Sequence, residues 1–272
     1  MLFVKRGIAV KYEKRTVKTE SFEMDYVVFG KGKKSFVMLP GISIKSVMLS
    51  APAVAAAYAR FADEYTVYLF DRKRNVKNGY TVRNMADDTA VAMKALGISD
   101  AYIFGASQGG MIAQYIAINH PELAHKLFLA SSLSAQNELS KTVFNEMLRL
   151  TKERKVRELN RLFFKVVYSD EYREKYRDVF EFMENDGTEE ELARFEVLVE
   201  ACVTFDCSDE IDKIKCPVMT VGSKKDTVLS DKAILDTARL LGCEYYIYEG
   251  YAHAVYDEAP DYKDRIERFF KD

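Results

Sequence analysis

Short apolar segments recur along the chain, and from the third one onward most are separated by segments with the periodicity of amphipathic helices. Apolar or alternating segments of this length predict β-strands. Eight are predicted, at residues 7–12, 21–29, 36–39, 66–70, 101–104, 126–130, 217–221 and 244–248. Strands alternating with helices favour an α/β fold with a mostly parallel sheet covered on both faces. The first two segments have no helix between them, which predicts an antiparallel hairpin at one edge.

Two of the intervening helices have readable ends. Residues 81–96 carry apolar side chains at helical spacing, and the pattern stops at Gly97. In the second, Ser230 or Asp231 is a candidate N-cap, and Gly242 follows the last helical position.

One long segment, residues 136–206, interrupts the alternation because it has helical periodicity and no convincing strand. Its charged residues are typical of solvated helix faces. Its apolar residues, however, are more numerous than helices that stand alone on the surface require. Open α/β sheets bind their ligands at the carboxyl edge. We therefore expect a helical cap over that edge, with residues 1–135 and 207–272 forming the core domain.

Composition, charge and the absence of certain motifs argue against several classes of protein. The 272 residues are 48% hydrophobic, and 40 basic against 42 acidic residues give a net charge of −2, which offers no field for polyanions. No signal-peptide core or transmembrane-length segment is present, so we expect a cytoplasmic protein. The four cysteines lack zinc-site spacing, and no dinucleotide or phosphate-loop fingerprint occurs. We expect buried thiols, no metal and no cofactor.

The most informative motif is G-x-S-x-G, formed by Gly105, Ser107 and Gly109. A short apolar strand precedes it and a helical pattern follows it, which places Ser107 in a sharp strand-to-helix turn. Such a turn needs small neighbours so that the strand and the helix can approach each other. The context makes the motif far more specific than its letters alone.

On the basis of this motif, the chain resembles the α/β-hydrolase fold superfamily, in particular serine hydrolases with a helical cap. The resemblance covers nearly the whole length of the chain. The resemblance implies an eight-stranded sheet and a triad in the chain order nucleophile, acid, histidine. Asp226 follows the seventh predicted strand and His253 follows the eighth. The order Ser107, Asp226, His253 therefore agrees with three separate strand ends.

Each residue type suits its role. Because a serine hydroxyl is a poor nucleophile at neutral pH, His253 is expected to take its proton, and Asp226 to orient the imidazole. The resemblance also implies an oxyanion hole formed by the backbone N–H groups of Ile42 and Gln108. The family commonly has His-Gly at the first of these loops, whereas this chain has Pro40 before Gly41.

Other polar and aromatic residues receive weaker roles. Asp71 and Arg72 are expected to brace neighbouring loops, and His120 and His125 to be structural. Candidate substrate contacts lie in the oxyanion loop and in the cap: Ser43, Lys45, Phe163, Phe164 and Tyr168.

The sequence thus predicts a serine hydrolase that cleaves a small or medium, partly apolar ester or related acyl substrate. Acyl transfer and carbon–carbon bond hydrolysis use the same constellation, and a non-catalytic binding or receptor protein also retains the fold. The expected partner is a small-molecule substrate, without nucleic acid or membrane, and a homodimer is compatible with the sequence.

Overall fold

An eight-stranded sheet organises the computed structural model, which describes residues 10–271. Its strands lie in the order β1-β2-β4-β3-β5-β6-β7-β8. β2 pairs antiparallel with β1 and β4, and every later pair is parallel, which confirms the predicted mostly parallel α/β sheet. The strands are β1 (Tyr12–Lys18), β2 (Glu23–Gly30), β3 (Lys34–Leu39), β4 (Tyr65–Lys73), β5 (Ala101–Ala106), β6 (Ala124–Ala130), β7 (Val218–Ser223) and β8 (Glu244–Tyr248).

The first strand was predicted in the wrong place. β1 begins at Tyr12, where the predicted segment 7–12 ends, and residues 7–9 lie outside the described part of the chain. Its sequence, YEKRTVK, has mostly solvent-exposed side chains because β1 is an edge strand. An apolar pattern cannot locate such a strand. The predicted antiparallel hairpin is confirmed, since β1 pairs with β2.

Helices cover both faces of the sheet, as predicted. Alternate residues of β3 enter different cores, Val37 with α2, α3 and α9, and Phe36 with α1 and α11. The helices are α1 (Ala51–Ala57), α2 (Val82–Ala95), α3 (Gln108–Asn119), α4 (Glu138–Lys152), α5 (Val156–Val167), α6 (Asp170–Lys175), α7 (Arg177–Met183), α8 (Glu189–Val203), α9 (Asp231–Leu241), α10 (Val255–Glu258) and α11 (Tyr262–Lys271).

Two helix ends show how local sequence sets the boundaries. Thr81 caps α2 through its hydroxyl, which accepts a hydrogen bond from the Asn84 backbone N–H. Ser230 occupies the N-cap position of α9 but makes no side-chain capping bond. Gly242 closes α9 in the left-handed conformation, with φ of 59°, as its type predicts.

Five helices, α4 to α8, connect β6 to β7 and lie within the segment 136–206, where a helical cap is expected; we refer to this insertion as the cap. An antiparallel bridge between Ala135 and Asp206 joins the two ends of this insertion. α4 and α8 contribute Phe144 and Phe195 to the core on the α2, α3 and α9 face. None of the helices between residues 10 and 271 is long and apolar enough to cross a bilayer.

Candidate active site

Ser107 occupies a strained turn between β5 and α3. Its φ of 51° and ψ of −119° lie in a region that L-residues rarely adopt. The turn leaves no room for a side chain at its two glycines. A Cβ on Gly105 would lie 2.6 Å from the Gly109 carbonyl oxygen, and one on Gly109 only 1.9 Å from the Leu39 carbonyl oxygen. Bulkier residues at these positions would push β3, β5 and α3 apart. The glycines therefore permit the geometry that presents the serine.

Asp226 and His253 form a buried pair. Asp226 Oδ2 lies 2.8 Å from His253 Nδ1, and both residues are under 5% exposed. The other carboxylate oxygen, Oδ1, accepts the backbone N–H groups of Val228 and Leu229 at 2.8 and 2.9 Å. Both oxygens are thus held, so the carboxylate fixes the ring orientation. A carboxylate can only accept, so Nδ1 is the donor in this bond, and in the neutral imidazole Nε2 is then the nitrogen that can accept a proton.

Two consecutive serines after β6 connect the turn of Ser107 to the loop of His253. Ser132 donates its hydroxyl to the Ser107 carbonyl at 2.9 Å, and Ser131 donates to the His253 carbonyl at 2.6 Å. The Ser107 N–H also bonds the Ala130 carbonyl at 2.8 Å. The sequence analysis missed Ser131 and Ser132. Their signal was the polar run SSLS placed directly at the carboxyl end of a buried strand.

The serine hydroxyl itself is free in this structure. Across residues 10–271, neither Ser107 Oγ nor His253 Nε2 makes a hydrogen bond within the chain. In unliganded enzymes the contact between nucleophile and base is often long and shortens only with substrate bound.

The predicted oxyanion loop lies against the serine. A Cβ on Gly41 would be 3.3 Å from Ser107 Cβ, so residues 40–42 pack directly over the turn. Ile42 is buried, and Gln108, the first residue of α3, is fully buried. An N–H at the start of a helix has no intrahelical acceptor and lies at the positive end of the helix dipole. The arrangement suits stabilisation of a developing oxyanion.

The predicted substrate contacts in the oxyanion loop make bonds within the chain. Ser43 donates its hydroxyl to the Lys45 carbonyl at 2.5 Å. The Lys45 ammonium lies 2.6 Å from Asp186 and 3.4 Å from Glu191, which both belong to the cap. The side chain of Lys45 therefore ties the loop to the cap.

The predicted cap contacts belong to a cluster of aromatic rings. Phe164 and Tyr168 lie 4.7 and 5.3 Å from the ring of Phe180, and Phe163 lies 6.3 Å from that of Phe195. Phe182, in contrast, is 84% exposed and points to solvent.

Alternative histidines and acids have other partners. His120 Nε2 lies 3.0 Å from Asp87, and His125 Nδ1 lies 3.0 Å from Asp100. Asp231 pairs with Lys224 at 2.8 Å on the surface. All four cysteines are free; Cys202 and Cys207 are buried as expected, whereas Cys216 and Cys243 are only partly buried. The described residues contain no cluster of histidine, cysteine or acidic side chains that could hold a metal.

Comparison with known proteins gives the family of the fold. The family model for the alpha/beta hydrolase fold matches residues 62–260. The chain belongs to the alpha/beta hydrolase fold family. It is a hydrolase, with an eight-stranded sheet of the family's type.

Individual relatives in this family are distant. A protein of Caulobacter sp. strain K31 named "Putative carbamate hydrolase RutD" is 24% identical over 220 residues, covering 77% of this chain and 76% of its own. MGS-M2, an alpha/beta hydrolase enzyme from a deep-sea metagenome library, superposes with a TM-score of 0.85 at 18% identity, covering 95% of this chain and 98% of its own. The enol-lactonase of Burkholderia xenovorans LB400 gives 0.82 at 17%, covering 95% and 100%.

Proposed function

We propose that this hydrolase cleaves a small or medium, partly apolar ester or related acyl substrate through an acyl-enzyme intermediate on Ser107. His253 is the general base and Asp226 orients it. The observation that carries the proposal is the 2.8 Å contact between Asp226 and His253 Nδ1, at the sheet edge where Ser107 occupies its strained turn. This contact leaves Nε2 unprotonated, which is the form that accepts a proton from serine.

In the proposed reaction, Ser107 Oγ attacks the substrate carbonyl carbon while His253 Nε2 takes the hydroxyl proton. The carbonyl oxygen becomes an oxyanion that accepts hydrogen bonds from the Ile42 and Gln108 backbone N–H groups. The imidazolium then protonates the leaving group as its bond to the carbonyl carbon breaks. Water repeats the sequence on the acyl-enzyme, releasing the acid and regenerating the serine.

The named relatives support this choice of bond. A carbamate and an enol-lactone both have a carbonyl carbon bonded to a heteroatom leaving group, which is the group that an acyl-enzyme mechanism attacks. The proposal places the apolar part of the substrate against the aromatic rings of the cap that include Phe163, Phe164 and Tyr168. Each methylene buried there would contribute about 0.8 kcal/mol.

The test combines covalent labelling with a substrate series. A fluorophosphonate followed by peptide mapping is expected to modify Ser107 in the wild type and to leave Ser107→Ala unmodified. p-Nitrophenyl esters from acetate to octanoate are expected to show an optimum of kcat/KM beyond acetate. Absence of both label and turnover in the folded wild type would support a non-catalytic binding protein. A preference for acetate alone would overturn the apolar-substrate part of the proposal.

A further inference from the structure

A buried arginine lies behind the proposed oxyanion hole. Arg72, near the end of β4, is 5% exposed, and burial lowers the pKa of its guanidinium to about 10, so it remains charged at neutral pH. Its Nη2 donates to the Pro40 carbonyl at 2.7 Å and to Gln108 Oε1 at 2.8 Å, and its Nε lies 3.2 Å from the same Gln108 oxygen. One rigid guanidinium thus binds both the oxyanion loop and the residue after the nucleophile.

The Gln108 amide continues this connection into the cap. Its Nε2 donates to the Leu198 carbonyl at 2.7 Å and lies 3.1 Å from Cys202 Sγ. Since Oε1 receives Arg72, both ends of the fully buried amide are bonded, and the amide cannot rotate without leaving a buried polar atom unpaired. The orientation of Gln108 is therefore determined from both sides.

Asp71 adds a second connection beside the first. Its carboxylate accepts the Arg72 backbone N–H at 2.7 Å, the Ser46 hydroxyl at 2.5 Å and the guanidinium of Arg194 in α8. Arg194, Leu198 and Cys202 are spaced by four residues and so lie on one face of α8. That face docks on Asp71 and Gln108.

We propose that Arg72 is a positioning residue for the oxyanion hole, holding the loop of Ile42 and the turn of Gln108 at a fixed separation, and that Gln108 transmits this constraint to α8. The inference rests on the proposed function, because it concerns the N–H groups assigned there to the oxyanion. Arg72 acts through other residues and does not touch the substrate. Its loss is expected to weaken transition-state stabilisation more than ground-state binding.

The main test uses Arg72→Lys, which keeps a charge but lacks the planar fork. We expect kcat to fall about 10- to 100-fold with little change in KM, less than the 10²–10³ typical of deleting an oxyanion donor. The affinity for a trifluoromethyl ketone, which forms a tetrahedral oxyanion on Ser107, is expected to fall by the same factor as kcat/KM. The affinity for the matching secondary alcohol is expected to stay unchanged. Arg74→Ala, an exposed arginine two residues along, is the control.

Three further measurements separate positioning from loss of folding. Fluorophosphonate titration counts the competent sites, so a purely structural defect lowers that count and leaves inhibitor affinity per site intact. In Arg72→Ala, millimolar guanidinium is expected to restore turnover, whereas it should not restore His253→Ala. Loosening of α8 is expected to make Cys202 react several-fold faster with a thiol reagent in Arg72→Lys, with Cys243 as the internal reference.

The outcomes distinguish the two proposals. If the wild type hydrolyses esters and labels on Ser107, but Arg72→Lys and Arg72→Ala match it per competent site, the positioning role is wrong and the proposed function stands. Equal losses of affinity for the ketone and the alcohol also overturn the positioning role. If Ser107 is neither labelled nor required for turnover, the proposed function fails first.

Discussion

The cap meets the sheet domain at two junctions whose bonds differ in kind. At the α5 junction, main-chain carbonyls at the end of α5 accept hydrogen bonds from the loops of the proposed acid and base. Val167 O receives the Ala254 N–H at 2.8 Å, and Val166 O receives the Thr227 hydroxyl at 3.2 Å. Carbonyls in the last turn of a helix have no intrahelical donor. The neighbours of His253 and Asp226 supply the donors that α5 lacks.

At the α8 junction, long side chains make the contacts. Lys45 pairs with Asp186 and Glu191, Arg194 pairs with Asp71, and the Gln108 amide bonds the Leu198 carbonyl. Several of these groups are partly exposed, so salt screens their attraction and each pair contributes little, about 0–1 kcal/mol.

The two junctions therefore differ in how strongly they depend on ionic strength. At the α5 junction, the bond between the Ala254 N–H and the Val167 carbonyl joins two main-chain groups, so no change of side chain removes it and salt does not screen it. The α8 junction constrains the oxyanion side through charges that one substitution can remove. We therefore expect ionic strength to act on the α8 junction first.

The largest effect is expected from substituting Asp226, the proposed acid, which lies beside the α5 junction. Asp226→Asn keeps an acceptor for the Val228 and Leu229 N–H groups, but its amide donates to His253 Nδ1 and forces the proton onto Nε2. The expected loss in kcat is about 10⁴-fold, with the fold retained. Steady-state ester kinetics and circular dichroism measure both. Asp231→Asn, which loses only a surface pair with Lys224, is expected to match the wild type. If Asp231→Asn loses the activity instead, the acid is misassigned.

The sequence predicts the buried strands better than the edge strand β1 for a physical reason. Buried parallel strands such as 36–39 need apolar residues throughout, and the nucleophile turn needs glycines, so both leave a pattern. The edge strand β1 has most side chains in water and leaves none. The bounds of β8, 244–248, were predicted correctly because turn residues flank it.

The candidate site, too, can be predicted from the sequence only in part. The sequence can indicate Ser107, Asp226 and His253 because each follows a strand. The bond from the Ala254 N–H to the Val167 carbonyl cannot be read from any side chain, because it joins two main-chain groups distant in sequence. Similarly, nothing in the sequence indicates that Lys45 pairs with the cap; its 2.6 Å distance to Asp186 shows that pair.

A smaller effect is expected from weakening the α5 junction. Glu258, at the end of α10, accepts both the N–H and the hydroxyl of Ser169, which also caps α6. Glu258→Ala leaves these donors unpaired and is expected to lower the free energy of unfolding by about 1–3 kcal/mol. We expect kcat to fall less than 10-fold, roughly 1 kcal/mol, because the Ala254 bond remains.

Thermal unfolding and ester kinetics measure these two quantities for Glu258→Ala. Glu249→Ala, an exposed carboxylate before Tyr251, is the matched control and is expected to change neither. Wild-type stability and turnover in Glu258→Ala would show that the Ser169 contact contributes nothing to the junction.

The smallest expected effect concerns the charges of the α8 junction. In Arg194→Gln, Asp71 keeps its bonds from Ser46 and the Arg72 N–H, so stability is expected to fall by at most about 1 kcal/mol. Burial raises the pKa of the Cys202 thiol to about 12, so the folded protein reacts with a thiol reagent only when α8 moves away. We expect Cys202 to react faster in Arg194→Gln, and added salt to accelerate the reaction in the wild type more than in the variant.

Arg149→Gln removes a cap arginine that pairs only within α4 and with Glu153, and it should leave the labelling rate unchanged. If Arg149→Gln accelerates labelling equally, the cap loosens as a whole and the two junctions do not differ in the way their bonds indicate.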